Sequence, residues 1–293
     1  MLWNFEEILP ENGDLTEGPA WTGKSLLITD GKSDRILEID PKSKKSSVWF
    51  HGTQGVNGLN FNSKGELFGC EQRGRRIVQY LENNEKKTIA ERLDGRKINH
   101  PNDLAIDPSG NIWFSDQIST IDELPQLDHA SILKATPQQD GSYNCERMTF
   151  DTTSPNGLLF SEDYKTLYVA QSTFNGFERR QLRAYPVLEN GKLGEYKLLH
   201  DFGPHRGIDG MTLDSEGNII ATCGWEISGP GGMICVFSPK GRIIESHSVP
   251  CKRPSNCTFG GENLDILYVT TLEGHLFMVE NTGRQGYLLY PEK

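Results

Sequence analysis

HPNDLAIDPSGNIWFSD, residues 100–116, decides the reading of this chain. A polar pair opens an apolar strand, Leu104-Ala105-Ile106. A turn built from Asp107, Pro108, Ser109 and Gly110 follows, and Asn111-Ile112-Trp113-Phe114 returns as a second strand. The alternation and the β-branched and aromatic enrichment fit a hairpin in a half-buried sheet. The same phrase occurs five more times: EGPAW-TGKS-LLITD from Glu17, NGLNF-NSKG-ELFGC from Asn57, NGLLF-SEDYK-TLYVA from Asn156, DGMTL-DSEG-NIIAT from Asp209 and NCTF-GGENLD-ILYVT from Asn256. The starts lie about 40 to 54 residues apart, a period that belongs to propeller blades of four strands each.

Between the copies run further apolar strands, such as residues 35–39 and 233–237, and no segment reads as a helix longer than one or two turns. The fold expected is all-β, a six-bladed β-propeller forming a single domain over residues 1–293. A strand over residues 4–8 precedes the first copy, and two more, near residues 276–280 and 287–290, follow the sixth. Open sheet edges invite aggregation. The N-terminal strand is therefore expected to join the last blade beside the C-terminal ones and close the ring.

Composition agrees: 31 Gly and 15 Pro are spread along the chain as turn formers, and 35% of residues are hydrophobic, enough for a large core. A net charge of −10 argues against nucleic acid or an anionic membrane surface as partner. No apolar run approaches a membrane span, and MLWNFEEILPENG lacks the basic start and apolar stretch of a signal peptide. The expectation is a cytoplasmic protein (periplasmic if a leader was removed), a monomer or weak dimer, acting on a small molecule. The six cysteines form no C-x-x-C pair and no zinc spacing. Buried thiols are expected, with a bridge between Cys251 and Cys257 as the alternative.

The inner strand of each blade lines the central channel, so the repeat places Glu17, Asn57, Asn102, Asn156, Asp209 and Asn256 at one height. Every one is an oxygen donor. A hard cation such as Ca²⁺ takes six to eight such ligands, whereas zinc more often recruits nitrogen or sulfur. Any one of these residues alone is equally explained as an Asn-Gly or Asp-Gly turn; six on one ring are not. Glu17, Asn156 and Asp209 are expected as ligands, with Asn102 next and with Asn57 and Asn256 as spectators or partners through water.

At these residues the chain resembles the SMP-30/gluconolactonase/luciferin-regenerating family, most closely its bacterial gluconolactonases. The phrases that carry the resemblance are EGPAW (17–21), HPNDLAIDPSGNIWFSD (100–116), SPNGLLFSEDYKTLYVAQS (154–172), GIDGMTLDSEGNI (207–219), GPGGMICVFSPKG (229–241) and NCTFGGENLDILYVTT (256–271). The resemblance implies a six-bladed propeller with one divalent cation, commonly calcium, with zinc, magnesium or manganese also accepted. It implies metal ligands at Glu17, Asn156 and Asp209, and an asparagine touching substrate or metal at Asn102. Animal members place a substrate-contacting arginine where this chain has His100.

The reaction so implied is hydrolysis of a small sugar lactone. The cation polarises the carbonyl, and Asp209 takes a proton from the attacking water; alternatively Asp209 is only a ligand. No nucleophile elbow, P-loop or dinucleotide fingerprint competes. Loops over residues 71–76, 116–126, 171–180 and 224–232 are expected around the mouth, offering Glu71, Arg73, Asp116 and Trp225, together with His100, as substrate contacts. The alternatives are a related propeller hydrolase acting on other lactones or organophosphate esters, or a non-catalytic binding propeller.

Overall fold

The computed structural model describes residues 2–10, 15–118, 127–173, 177–204 and 207–291. The repeated phrase becomes six antiparallel sheets in a ring, a six-bladed β-propeller. The inner strands of blades 1 to 6 are Thr16–Trp21, Val56–Phe61, His100–Ile106, Pro155–Phe160, Ile208–Asp214 and Pro254–Gly260. Each packs on the next, and that of blade 6 packs on that of blade 1. Among the described residues the sole helical turn is Glu82–Asn84, and no helix is long and apolar enough to cross a membrane.

Blades hold together because alternate side chains of each sheet point into a neighbour. One core lies between blades 6 and 1, where Trp21 stacks at 6.0 Å on Tyr268, and another lies between blades 3 and 4, where Trp113 meets Phe160 edge-on at 5.7 Å. Burying such rings supplies the apolar area that many small sheets lack singly.

The ring closes as expected on the N-terminal side. Glu6–Leu9 pairs antiparallel with Leu276–Val279 as the outer strand of blade 6. The C-terminal side differs from expectation. Residues 287–290 do not extend blade 6, whose outer edge is already taken. Instead Tyr287 pairs with Leu213 and Gly286 with Asp214, at the far end of the blade 5 inner strand. From there the chain crosses the end of the channel. Tyr287, Leu288, Leu289 and Tyr290 each pack against a different apolar core, so this short stretch ties together most of the ring. The channel is thereby covered at the end away from the first residues of the inner strands.

Candidate metal centre and adjoining cleft

Every inner strand loses its pairing register near its first residues. In blades 2 to 6, two inner-strand residues oppose one on the second strand, a β-bulge. Those pairs are Asn57-Gly58, Asn102-Asp103, Asn156-Gly157, Asp209-Gly210 and Ser255-Asn256. In blade 1 the break follows Glu17. The bulge turns an extra side chain into the channel and leaves backbone groups to be satisfied. In blades 1, 3, 5 and 6 a hydroxyl stands opposite the break and helps to do this. Thr29 donates to the Asn57 carbonyl at 2.9 Å, and Thr222 donates to the Gly210 and Ser255 carbonyls at 3.0 and 2.8 Å. Ser255 in turn donates to the Thr16 carbonyl at 2.8 Å. These bonds stitch blade 1 to blade 2, blade 5 to blade 6 and blade 6 to blade 1 at the height of the site.

The register corrects the sequence reading in blade 6. Ser255, not Asn256, stands level with Glu17, Asn57, Asn102, Asn156 and Asp209. Asn256 occupies the next position, where four blades have glycine and blade 3 has Asp103. The glycines are required by close approach: a Cβ on Gly58 would lie 2.5 Å from Asp103 Oδ1, and one on Gly210 would lie 2.0 Å from the Asn256 amide. A second tier of polar groups therefore sits beneath the first, built from Asp103 and Asn256.

The two tiers meet. Asn256 Nδ2 donates to Glu17 Oε2 at 2.9 Å and lies 3.4 Å from Asp103 Oδ2, while its Oδ1 accepts from the Cys257 N–H at 2.8 Å. Asn256 is thus the bridge between two carboxylates and not a spectator. Asn57 Nδ2 donates to the Asn102 carbonyl at 3.2 Å. Asn156 hydrogen-bonds Asp209.

Burial dominates the electrostatics. Glu17 is held well above the usual carboxylate range by burial and then by the Asp209 and Asp103 charges beside it. Asp103 is pushed up to about 6 by burial, against the hydrogen bonds from Leu104 N–H and Asn256. Asp209 is raised to about 7, again by burial, with the Asn156 hydrogen bond and the Arg253 charge opposing and Asp103 adding. Three carboxylates packed this way are short of positive charge. Among the described residues no His, Cys, Asp and Glu set forms a ready-made cage of three. The donors that do gather, carboxylates and amides, are nonetheless the hard oxygens that a calcium-like cation takes, and such a cation would relieve their repulsion.

The expected substrate contacts divide. Trp225 lines a cleft with Asn156, Asp209, Arg180 and Arg253, between blades 4, 5 and 6. His100 is half-buried at the start of the blade 3 inner strand and does not line that cleft. Glu71 is no substrate contact: it is fully buried, with Arg76 at 2.7 Å, Lys86 at 2.5 Å and the Tyr80 hydroxyl at 3.2 Å. Asp116, also fully buried, accepts from the Asn99 N–H at 2.9 Å, and burial lifts it to about 7. Both close the end of a second strand, as Asp30 does with Arg35. Arg73 is exposed and ion-paired with Asp34. Residues 119–126 and 174–176 of the expected mouth loops lie outside the described residues. Cys251 and Cys257 are not bridged.

Sequence reasoning missed Asp103, Asn256 as a bridge, Arg180 and Arg253. Three of these had a signal: His100-Pro101-Asn102-Asp103 and Arg253-Pro254-Ser255-Asn256 are the same four positions in blades 3 and 6.

Comparison with known proteins supplies the family. The model of the SMP-30/Gluconolactonase/LRE-like region matches residues 15–273. A 6-deoxy-6-sulfogluconolactonase of Pseudomonas putida is 26% identical over 269 residues, 88% of this chain and 83% of its own length. In structure the chain is similar to a gluconolactonase of Xanthomonas campestris, with a TM-score of 0.81 and 25% identity over 94% of this chain and 89% of that one. It also shares its fold with a calcium-binding protein, regucalcin, of Agrobacterium tumefaciens, with a TM-score of 0.77 and 19% identity over 98% and 97% of the two chains. With most of its length matched and the propeller and its polar ring in place, the chain belongs to the SMP-30/gluconolactonase/LRE-like family.

Proposed function

We propose that the protein is a divalent-cation-dependent hydrolase that opens a small sugar lactone. One observation carries this reading: Asp209 is buried beside Glu17 and Asp103, is hydrogen-bonded by Asn156, and lines a cleft between blades 4, 5 and 6. The relatives described as lactonases support the reaction class, and the calcium-binding neighbour supports the choice of a hard cation.

Glu17, Asn156 and Asp209 would hold the cation, with Asn102 at the same level. Once bound it supplies polarisation of the lactone carbonyl and stabilises the charge that develops on its oxygen. The remaining work falls to the chain. Asp209 takes a proton on a carboxylate oxygen as water attacks the carbonyl carbon. When the ring C–O bond breaks, the same oxygen returns that proton to the departing alkoxide, leaving a hydroxy acid. Asn156 fixes the Asp209 rotamer through its hydrogen bond. Asn256 holds Glu17 from below.

A pH-stat assay tests this. D-glucono-1,5-lactone, an aliphatic lactone and a phosphotriester are compared before chelation, after it, and with Ca²⁺, Zn²⁺, Mg²⁺ or Mn²⁺ restored. Acid release from the sugar lactone that chelation abolishes and one cation restores is the expected result. Turnover of the other substrates alone would move the assignment to a related hydrolase. No turnover with any cation would overturn it in favour of a binding propeller.

A further inference from the structure

The cleft beside Asp209 has a cationic wall in a chain whose net charge is −10. Arg253 stands immediately before Pro254, the place His100 holds before Pro101 on the opposite side of the ring. Its guanidinium lies over the Trp225 ring, 5.0 Å from the centroid. Nε and Nη2 face Glu226 at 3.2 and 3.4 Å. A guanidinium has a second donor edge, through Nη1. Arg180 is 5% exposed and is fixed by its Nε–H to the Thr173 carbonyl at 2.6 Å and by a bond to the Pro204 carbonyl. It lies so close over Gly207 that a Cβ there would be 2.6 Å from Arg180 Cδ.

Carbonyls position an arginine without neutralising it. Burying a guanidinium against neutral groups is unfavourable unless an anion completes the site. The ring carboxylates answer these guanidiniums only in part: a divalent cation would take up two of the three charges of Glu17, Asp103 and Asp209, and of these Asp209 is the one the Arg253 charge acts on. Glu226 answers Arg253 along one edge of the guanidinium only, and about a third of its side chain is in water. Among the described residues Arg180 therefore has no anionic partner in the cleft.

We propose that Arg180 and Arg253 form a subsite for an oxyanion at the end of the substrate remote from the lactone, so that the preferred substrate is an acidic sugar lactone. The group can be a carboxylate, a sulfonate or a phosphate; all offer paired oxygens to the guanidinium fork. Trp225 supplies an apolar face for the sugar C–H groups between the two ends. The inference rests on the lactonase reading and narrows it.

The test compares kcat/KM for glucono-1,5-lactone, a 6-phosphogluconolactone and a glucarolactone in the cation-loaded protein, in wild type and in Arg253→Met, Arg253→Lys and Arg180→Lys. Wild type is expected to favour at least one acidic lactone at least tenfold, chiefly through KM, as one charge-assisted hydrogen bond allows. The phosphate and carboxylate arms identify which oxyanion fits. Arg253→Met should cut the acidic-to-neutral ratio about tenfold, and Arg253→Lys should restore part of it. Equal kcat/KM for all three in wild type, or a ratio unmoved in both Arg253→Met and Arg180→Lys, would overturn the subsite. If no lactone is opened, the lactonase reading fails, and calorimetry with 6-phosphogluconate against gluconate decides the subsite separately. A tenfold preference for the phosphorylated acid that Arg253→Met removes supports it, and equal affinity overturns it.

Discussion

Asp209 has two tasks in the proposed reaction, and one substitution separates them. Asn keeps the size and one oxygen of the side chain but cannot take a proton. If Asp209 is the base, Asp209→Asn should lower kcat by about 10²- to 10⁴-fold while calorimetry still detects cation binding. Loss of cation binding together with turnover would make Asp209 a ligand alone. Asp103 makes a complementary case. It lies a hydrogen bond away from Asn256, which also holds Glu17, so Asp103→Asn should weaken cation binding about 10- to 100-fold, the range for groups that orient ligands. Sequence alone shows the ring of oxygen donors but hides Asp103, because a carboxylate following Asn102 reads as part of a turn. Glu71 and Asp116 mislead in the opposite way. Nothing local says that they face inward, although Asp30 and Arg35 share the spacing of Glu71 and Arg76 and both pairs are ion-paired braces.

At the scale of the element, the bulge is what converts a repeated strand into a site. Two accommodations recur: a hydroxyl opposite the break in blades 1, 3, 5 and 6, and in blades 1, 2, 4 and 5 a glycine that lets the neighbouring inner strand approach. Gly210→Ala should fail the second, since its Cβ would fall 2.0 Å from the Asn256 amide. Overpacking of this kind costs about 1–3 kcal/mol. A drop of several degrees in melting temperature is expected, with weaker cation binding because displaced Asn256 no longer holds Glu17. A melting point and a cation affinity both unchanged would show that the strands simply move apart. Blade number, hairpins and the N-terminal closing strand were readable because they follow local periodicity. The register of blade 6 was not, since Asn256-Cys257 lacks the glycine that marks the other copies. The path of residues 287–290 was not either. Their alternation fits a strand anywhere, and only the occupied edge of blade 6 sends them across the channel.

For the molecule as a whole, the ring is held from two sides. The tail that spans several inter-blade cores closes one end, and the acidic cluster strains the other. The strain has a definite sign. Glu17, Asp103, Asp116 and Asp209 all have folded-state proton affinities above those of an exposed carboxylate, with Asp103 at about 6 and Asp116 and Asp209 at about 7. Between about pH 4 and 7 the folded protein therefore binds more protons than the unfolded chain, and stability must fall as pH rises through that window. Surface carboxylates such as Asp163 and Asp201, lowered by hydrogen bonds from Ser161 and Arg179, act with the opposite sign, but only toward the acid end. The chelated protein should consequently melt highest near pH 5 and lose stability steadily toward pH 8. A divalent cation competes with these protons and binds the folded state, so its stabilisation should grow over the same interval. Asp116 lies outside the ring, so Asp116→Asn should flatten part of the chelated curve while leaving the cation-dependent increment in place. Thermal melts from pH 4 to 9, with chelator and with each cation, read all of this at once. A cation-free melting temperature that rises toward pH 8 would mean that the channel carboxylates already have their counter-charge within the protein.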